Sequence, residues 1–176
     1  EDMHHEAALY MAQALGIAIT DARWQALPLP APPAAVALPA GPWPLGSADA
    51  GFAFDNECGR HAVQTEACEM DAQVLRWAEY LPFAEAGGYD EPRWWTREGL
   101  AWRQSQDQAC PRYLRRNGAG WQQWRHGQWA ELDLTLPACH LTQHEALAWC
   151  AWAGRRLPRE AEWERAACTL GDGFTW

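Results

Sequence analysis

A run of prolines divides the chain and limits what its first part can fold into. Seven of the 12 prolines lie between Leu27 and Pro44. Proline lacks an amide hydrogen and fixes φ, so such a segment favours extended, semi-rigid geometry over a helix or a central strand. The sequence therefore predicts a linker over residues 21–44, between an N-terminal element over 1–20 and a second domain over 45–176.

The segment before the linker has the spacing of one amphipathic helix that ends near Gly16. Its apolar residues are Met3, Ala7, Ala8, Met11, Ala14 and Leu15. A helix with a single apolar face cannot bury that face alone. Residues 1–20 are therefore expected to be the last helix of a bundle, and the remaining helices are expected to lie upstream of Glu1.

Charge and hydropathy narrow the class of protein. The 14 basic residues, all arginine, are outnumbered by 23 carboxylates, which disfavours binding to nucleic acid. No run approaches the ~20 apolar residues of a membrane helix, and no basic leader precedes an apolar stretch. The six cysteines include no C-x-x-C pair, which disfavours a zinc ribbon. We predict buried free thiols, with a disulfide framework as the alternative. We predict a cytoplasmic protein without a membrane partner.

Local signals in the second domain predict α+β architecture. Thr142 and Glu145 form a capping box, with Gly154 as the C-terminal stop of that helix. A second helix is predicted over 158–168 with Pro158 at its first position, and a third over 75–86. Short strand-like pieces are predicted at 51–54, 62–65, 87–89 and 121–129.

The densest group of metal-ligand types is Glu1–Glu6, which contains His4 and His5. Adjacent helical residues point about 100° apart, so the two histidines do not easily share one site. A partner for His4 on the same face would lie just before Glu1. From these residues alone, an exposed polar face or the remnant of a purification tag stays an alternative.

The opening segment resembles the end of the H-x-x-x-H-x-E motif in DinB-like helical bundles of ergothioneine-type sulfoxide synthases. In that family, two histidines of the motif and one from an earlier helix hold one Fe(II). The resemblance implies that His4 is an iron ligand and that Met3 and Ala7, near it on the helix, line the substrate cavity. Glu6 would orient a ligand or a neighbouring helix, with a solvated acid as the alternative.

Three later segments resemble the formylglycine-generating-enzyme-like domain, a C-type-lectin-like fold, that follows the bundle in the same family. These are Phe52–Glu57 with His61, Ala84–Tyr89 with Trp94 and Trp95, and Trp149–Glu164 with its A-G-R-R-L-P core. The family pattern continues beyond Trp176. The resemblance therefore implies an incomplete lectin-like domain and a chain truncated at both ends.

Met3 decides between two branches of this family. Sulfoxide synthases commonly carry glutamine before the last motif histidine, whereas E-D-M-H-x-E-A resembles selenoneine synthases. The resemblance implies Fe(II)- and O2-dependent formation of a carbon–selenium bond on the imidazole of hercynine, trimethylhistidine, from a selenosugar. The alternative is carbon–sulfur bond formation from a thiol such as γ-glutamylcysteine. No catalytic acid or base is identified.

Aromatic faces attract a quaternary ammonium group such as that of hercynine, and the chain contains 13 tryptophans. Three tryptophans lie outside helical periodicity and are the pocket candidates, namely Trp94, Trp95 and Trp102, while Trp149, Trp152 and Trp163 are predicted to be core. Two other interpretations stay open. One is a formylglycine-generating enzyme proper, whose reactive cysteines would lie past Trp176; the other is a non-catalytic lectin-like binding module.

Overall fold

The computed structural model describes residues 2–20, 34–48, 53–107 and 109–170. These ranges contain five α-helices and seven strands, so the α+β class is confirmed. The helices are α1 (Asp2–Leu15), α2 (Trp77–Glu85), α3 (Arg97–Gln104), α4 (Gln143–Ala153) and α5 (Glu160–Leu170). The strands are β1 (Val36–Leu38), β2 (Gly41–Leu45), β3 (His61–Thr65), β4 (Cys68–Met70), β5 (Leu114–Asn117), β6 (Gly120–Arg125) and β7 (Gln128–Glu131).

The chain forms two compact units. The first unit is Glu1–Leu29 with Leu75–Arg155, and the second unit is Pro30–Val74 with Arg156–Trp176. The first unit contains α1 to α4 and the antiparallel sheet β5-β6-β7. The second unit contains α5 and two antiparallel pairs, β1 with β4 and β2 with β3.

An aromatic core holds the first unit together. Trp77, Tyr80 and Phe83 on α2 are fully buried, and the Phe83 ring lies 5.7 Å from the ring centroids of both Tyr80 and Tyr89. A Cβ at Gly88 would overlap the Phe83 ring. Glycine is therefore required there, because the loop after α2 passes directly over the aromatic ring.

Helix α2 forms although Pro82 lies inside it. Pro82 is exposed, and the helix buries Trp77, Tyr80, Leu81 and Phe83 on its other side. The N–H groups of Trp77 and Ala78 donate to the carbonyls of Leu136 and Leu134, which replaces a side-chain cap. Tertiary burial thus outweighs the cost of the proline.

The sheet β5-β6-β7 covers its tryptophans with arginines. The Arg116 guanidinium lies 4.3 Å from the ring centroid of its cross-strand partner Trp121. On the next position of β5, Arg115 lies 4.0 Å from the ring centroid of Trp129. Successive strand residues point to opposite faces, so each face of this small sheet has one cation–π pair.

Strands β1 and β2 lie in the segment that the sequence predicts to be a linker, and this is a correction for residues 36–44. Pro42 and Pro44 alternate with Trp43 in β2 and are exposed, whereas Trp43 is half-buried. In a strand that pairs on one side, the amide hydrogens of alternate residues point away from the partner strand. Proline is therefore accepted at those residues. Residues 21–33 lie outside the described residues.

Polar contacts hold much of the second unit. Arg156 donates two hydrogen bonds of 2.7 Å to the Glu162 carboxylate, which also accepts from the Arg159 amide. These bonds lower the pKa of Glu162 to about 2. Glu164 accepts from Trp43 Nε1 at 2.8 Å. The buried apolar residues of this unit's cluster are Leu38 and Ala166.

Several local predictions differ from the structure. Helix α5 begins at Glu160, not at Pro158, because the Arg159 amide is already engaged by Glu162. Trp163 is 41% exposed, so its prediction as core is wrong. Residues 53 and 54 precede a short 3-10 turn instead of forming a strand, residues 51 and 52 are not described, and residues 87–89 form a turn.

Other predictions are confirmed. Helix α1 ends before Gly16, and β3 and the β6–β7 hairpin lie where strands were expected. Helix α4 has the predicted capping box and a left-handed Gly154 with φ 67°. None of the six cysteines, all of which the structure describes, forms a disulfide, but Cys58, Cys139 and Cys168 are exposed, so the prediction that the thiols are buried is wrong for these three. Within the described ranges, no helix has both the length and the apolar character needed to cross a bilayer.

Candidate functional site

Helix α1 ends in a Schellman motif. The Ile17 amide donates to the Ala12 carbonyl at 2.9 Å, and the Gly16 amide donates to the Gln13 carbonyl at 3.4 Å. Gly16 has φ 68°, a left-handed conformation that glycine adopts without a steric penalty. The local sequence therefore fixes where the helix that carries His4 and His5 stops.

Both histidines of α1 are exposed. Met3 is 64% exposed and Ala7 is half-buried. Within the described ranges, no hydrogen bond or ion pair engages His4, and no group of three or more His, Cys, Asp or Glu side chains is arranged to hold a metal. The role of His4 as an iron ligand therefore stays a prediction.

Trp94 and Trp95 occupy different environments. Trp95 is buried and its indole N–H donates to the Gly88 carbonyl at 2.9 Å. Its ring lies 5.5 Å from that of Tyr89 and 6.1 Å from that of Trp102. Trp94 is half-buried, and the Arg93 guanidinium lies 4.4 Å from its ring centroid. The structure does not place either tryptophan in contact with Met3, His4 or Ala7.

A buried polar chain in the first unit is the feature that the sequence did not reveal. The Tyr89 hydroxyl donates to Glu145 Oε1 at 2.6 Å. The Tyr80 hydroxyl lies 3.0 Å from the Tyr89 hydroxyl. Glu145 Oε2 accepts from the Thr142 amide and hydroxyl. Burial first, and then the neighbouring Tyr80 and Glu145, raise the pKa of Tyr89 far above its ordinary value. Both tyrosines therefore stay protonated donors.

Only some of these hydrogen-bonded residues have a signal in the sequence. The capping box identifies Glu145 as an N-terminal residue of α4, and its 2% exposure is what the local pattern does not predict. Tyr89 belongs to the Gly-Gly-Tyr segment, and Trp95 follows it. These residues are buried and their polar atoms are hydrogen-bonded within the first unit, and Glu145 also contributes to the lining of a pocket.

An aromatic pocket of about 680 Å³ opens beside Glu145. Its lining includes Trp102, Tyr113, Trp124, Trp129 and Glu145. Arg115 already lies over the Trp129 ring, and the Arg112 guanidinium lies 4.7 Å from the Tyr113 centroid. The chain's own arginines thus occupy aromatic faces that a quaternary ammonium would otherwise use.

Two other histidines of the first unit are positioned by turns. His126 and His140 have φ values of 43° and 62°, a region that histidine enters more readily than most residues. Burial, with Arg125 next to His126 and Arg112 near His140, lowers the pKa of both imidazoles. The His144 ring stacks on Trp102 at 5.6 Å.

Comparison with known proteins identifies relatives of two kinds. The chain is 37% identical over 147 residues to the hercynine oxygenase of Mycolicibacterium smegmatis, covering 80% of this chain and 34% of that protein. It is 34% identical over 122 residues to the hercynine oxygenase of Mycobacterium tuberculosis, covering 69% and 28%. The formylglycine-generating enzyme of Bos taurus is 32% identical over 151 residues, covering 77% and 40%.

The chain thus spans about a third of the length of the hercynine oxygenases it matches. A family model described as a sulfatase-modifying factor enzyme 1-like domain matches residues 22–176. That match begins after α1 and includes both strand pairs of the second unit, the aromatic core of the first unit and the Arg156–Glu162 pair. The chain belongs to the family of sulfatase-modifying factor enzyme 1-like domains.

Proposed function

We propose that this chain is part of a non-haem iron oxidoreductase that forms a carbon–sulfur bond on the imidazole ring of hercynine. The observation that carries the proposal is the similarity to hercynine oxygenases, at 37% identity over 80% of this chain. Formylglycine-generating enzymes are similar at a lower identity of 32%. The exposed histidine-bearing helix α1, which precedes the matched domain, supports the hercynine reaction over cysteine oxidation.

The placement of His4 supports its role as an iron ligand. His4, Ala8, Met11 and Leu15 follow one another at intervals of four, three and four residues, so they form one stripe on α1. All four are exposed, with Met11 at 55% and Leu15 at 69%. An exposed apolar stripe that includes a histidine is typical of a helix face that packs against other helices of a metal-binding bundle.

Within this proposal, His4 donates one neutral imidazole nitrogen to Fe(II), and the other ligands come from residues outside the described ranges. A site with three imidazoles leaves coordination positions open for dioxygen and for the chalcogen donor. Met3 and Ala7 would flank the ligand on the same helix and exclude water beside it. The substrates are hercynine, the donor and O2.

Sulfur is preferred here over selenium. Relatives of this chain include hercynine oxygenases, which supports formation of a carbon–sulfur bond over formation of a carbon–selenium bond. The selenium reading rests on Met3 in the position before His4. Met3 is 64% exposed on α1, and within this proposal its side chain would line the substrate cavity beside His4.

The test uses the protein expressed with its natural flanking sequence, loaded with Fe(II) and supplied with hercynine and O2. γ-Glutamylcysteine and a selenosugar compete in one reaction, and mass spectrometry identifies the product. A sulfoxide adduct is expected, and a selenium adduct would replace the sulfur assignment. His4→Ala should abolish product and reduce bound iron, whereas His5→Ala, which changes a neighbour about 100° away on the helix, should retain both. Equal effects of the two variants would contradict the role of His4.

A further inference from the structure

We infer that Gln13 is a positioning residue whose side-chain amide docks α1 onto the β6–β7 turn and thereby fixes the helix that presents His4. The docking contact comprises Gln13, Gly16, Trp124, His126 and Gly127, which we call the α1 dock. All five residues belong to the first unit. The consequence for iron rests on the proposed function, whereas the docking contact does not.

Both polar groups of the Gln13 side chain are used. Its Nε2 donates to the Trp124 carbonyl at 2.7 Å, and its Oε1 accepts from the His126 amide at 2.9 Å. The Trp124 carbonyl and the His126 amide lie on either side of Arg125 in the chain. In a parallel sheet, one residue of the neighbouring strand forms hydrogen bonds to such a carbonyl and such an amide. The Gln13 amide therefore takes the place of a strand residue beside β6.

Burial makes this contact specific. Gln13 is 5% exposed, although it lies on a helix whose side chains are mostly exposed. Buried polar groups need partners, and a side chain that removed one would leave the Trp124 carbonyl or the His126 amide unsatisfied. The turn itself has positive φ at His126 (43°) and Gly127 (91°), as a type I′ hairpin requires. Gln13 thus also holds a turn that contains a non-glycine residue in the left-handed region.

The backbones meet next to this amide. A Cβ at Gly127 would overlap the Gly16 carbonyl oxygen, and a Cβ at Gly16 would lie 3.2 Å from Cζ2 of Trp124. The C-terminal stop of α1 and the tip of the hairpin are therefore in direct contact. The register of α1 along the hairpin is set within one residue, because a shift would bring a side chain into this contact.

The dock and the histidine stripe lie on opposite sides of α1. Gln13 follows His4 by about two and a half helical turns at ~3.6 residues per turn, and the exposures agree, since Gln13 is buried and His4 is exposed. The contact that fixes the helix thus leaves the His4 face free. Both the rotation of α1 and its axial position, and so the position of the His4 imidazole, depend on the Gln13 amide.

The test compares Gln13→Met, which keeps the length and volume of the side chain but removes its amide, with Gln13→Ala. Gln104→Ala, at an exposed glutamine near the end of α3, is the matched control. Hydrogen exchange measured by mass spectrometry reports on α1 and on α4, and competition with a chelator under anaerobic conditions reports the affinity for Fe(II). All variants are made in the protein with its natural flanking sequence.

We expect both Gln13 variants to accelerate exchange in residues 2–20 by about tenfold, because two hydrogen bonds to buried backbone groups are lost. Exchange in α4 should stay unchanged, and Fe(II) affinity should fall by up to the same factor, because the apparent affinity scales with the fraction of protein in which α1 is docked. Gln104→Ala should change neither quantity. Gln13→Met should be as severe as Gln13→Ala if the amide, and not the volume, makes the contact.

Two results would overturn the inference: unchanged exchange in α1, or accelerated exchange without any loss of Fe(II) affinity in a protein that binds iron. If the unaltered protein binds no iron, the proposed function fails, and accelerated exchange in the Gln13 variants still supports the docking contact. The exchange measurement and the metal titration therefore separate failure of the dock from failure of the function.

Discussion

The two units of this protein are stabilised in different ways. The first unit buries large aromatic side chains, among them Trp77, Tyr80 and Phe83, in one connected cluster. In the second unit, the buried cluster is small, and the Arg156–Glu162 pair and the bonds to Glu164 fix α5 and β2. The difference teaches that one short chain can depend on packing in one part and on carboxylates in another. The lowered pKa of Glu162 should make the stability of the second unit depend on acid pH.

Phe83→Ala should have the largest effect and tests the aromatic half of this comparison. Phe83 is fully buried and touches the rings of Tyr80, Tyr89 and Trp152, so the cavity should destabilise the first unit by about 4 kcal/mol. Hydrogen exchange in α2 and α4 measures the loss. Phe54→Ala, at a ring that is 44% exposed, should cost much less, and equal losses would break the comparison.

Glu162→Gln should come next, at about 2 kcal/mol, because it removes the ionic partner of Arg156 and an acceptor of the Arg159 amide. The loss of unfolding free energy is modest because the Arg156 side chain is 53% exposed, and water screens its attraction to Glu162. Exchange in residues 156–170 gives the measurement. Glu160→Gln, at an exposed acid two residues earlier in α5, should have little effect.

Protonation of the Glu162 carboxylate should destabilise the second unit at acid pH. The pKa of Glu162 is lowered from 4.5 to about 2 on folding, so its contribution is fully present above about pH 4.5 and is lost as the pH falls towards 2. Acid titration followed by exchange in α5 should show this loss. Glu162→Gln should flatten the dependence, and an unchanged acid profile would contradict the assignment.

Tyr89→Phe should destabilise the first unit by about 1.5 kcal/mol, because Glu145 loses a buried donor and the Tyr80 hydroxyl loses its acceptor. Thermal unfolding and exchange in α4 would detect it. Tyr113→Phe, at a half-buried tyrosine of the same unit, is the control. A neutral result for Tyr89→Phe would show that the aromatic packing alone holds this region.

Trp43→Phe should have the smallest effect, below about 1 kcal/mol, because it removes one hydrogen bond to Glu164 and keeps most of the ring. Exchange in β2 and β3 measures it. Glu164 still accepts from the Gly46 amide in this variant. A loss as large as that of Glu162→Gln would mean that the Trp43 indole contributes as much to the second unit as the Arg156–Glu162 ion pair does.

Local signals predicted what depends on a few adjacent residues. Thr142, Glu145 and Gly154 cap α4 as their spacing indicates, since each cap is completed within one helical turn. Helix α3 was missed because it is short and contains Gly99. That glycine is buried, and a Cβ there would lie 3.1 Å from Thr96 Oγ1 and 3.5 Å from His144, so packing against α4 favours it over a better helix former.

The candidate site was predicted only in part. The sequence identified α1 and its histidines, but it did not indicate that Gln13 would contact a turn 111 residues away. Trp94 and Trp95 were expected at a pocket because they lack periodicity, whereas Trp95 is buried by rings from three separate segments. The identity of such partners is set by chain topology, which spacing along the sequence does not contain.

The sequence by itself determined the α+β class, the ends of α1 and α4, the β6–β7 hairpin and the family resemblance, because capping, turn chemistry and periodicity act over a few residues. Only the tertiary structure decided that prolines 42 and 44 lie in a paired strand and that Glu145 is buried under Tyr89. It also decided that α1 is docked through Gln13. Each of these depends on burial between distant segments, which supplies or withholds hydrogen-bond partners that no local pattern specifies.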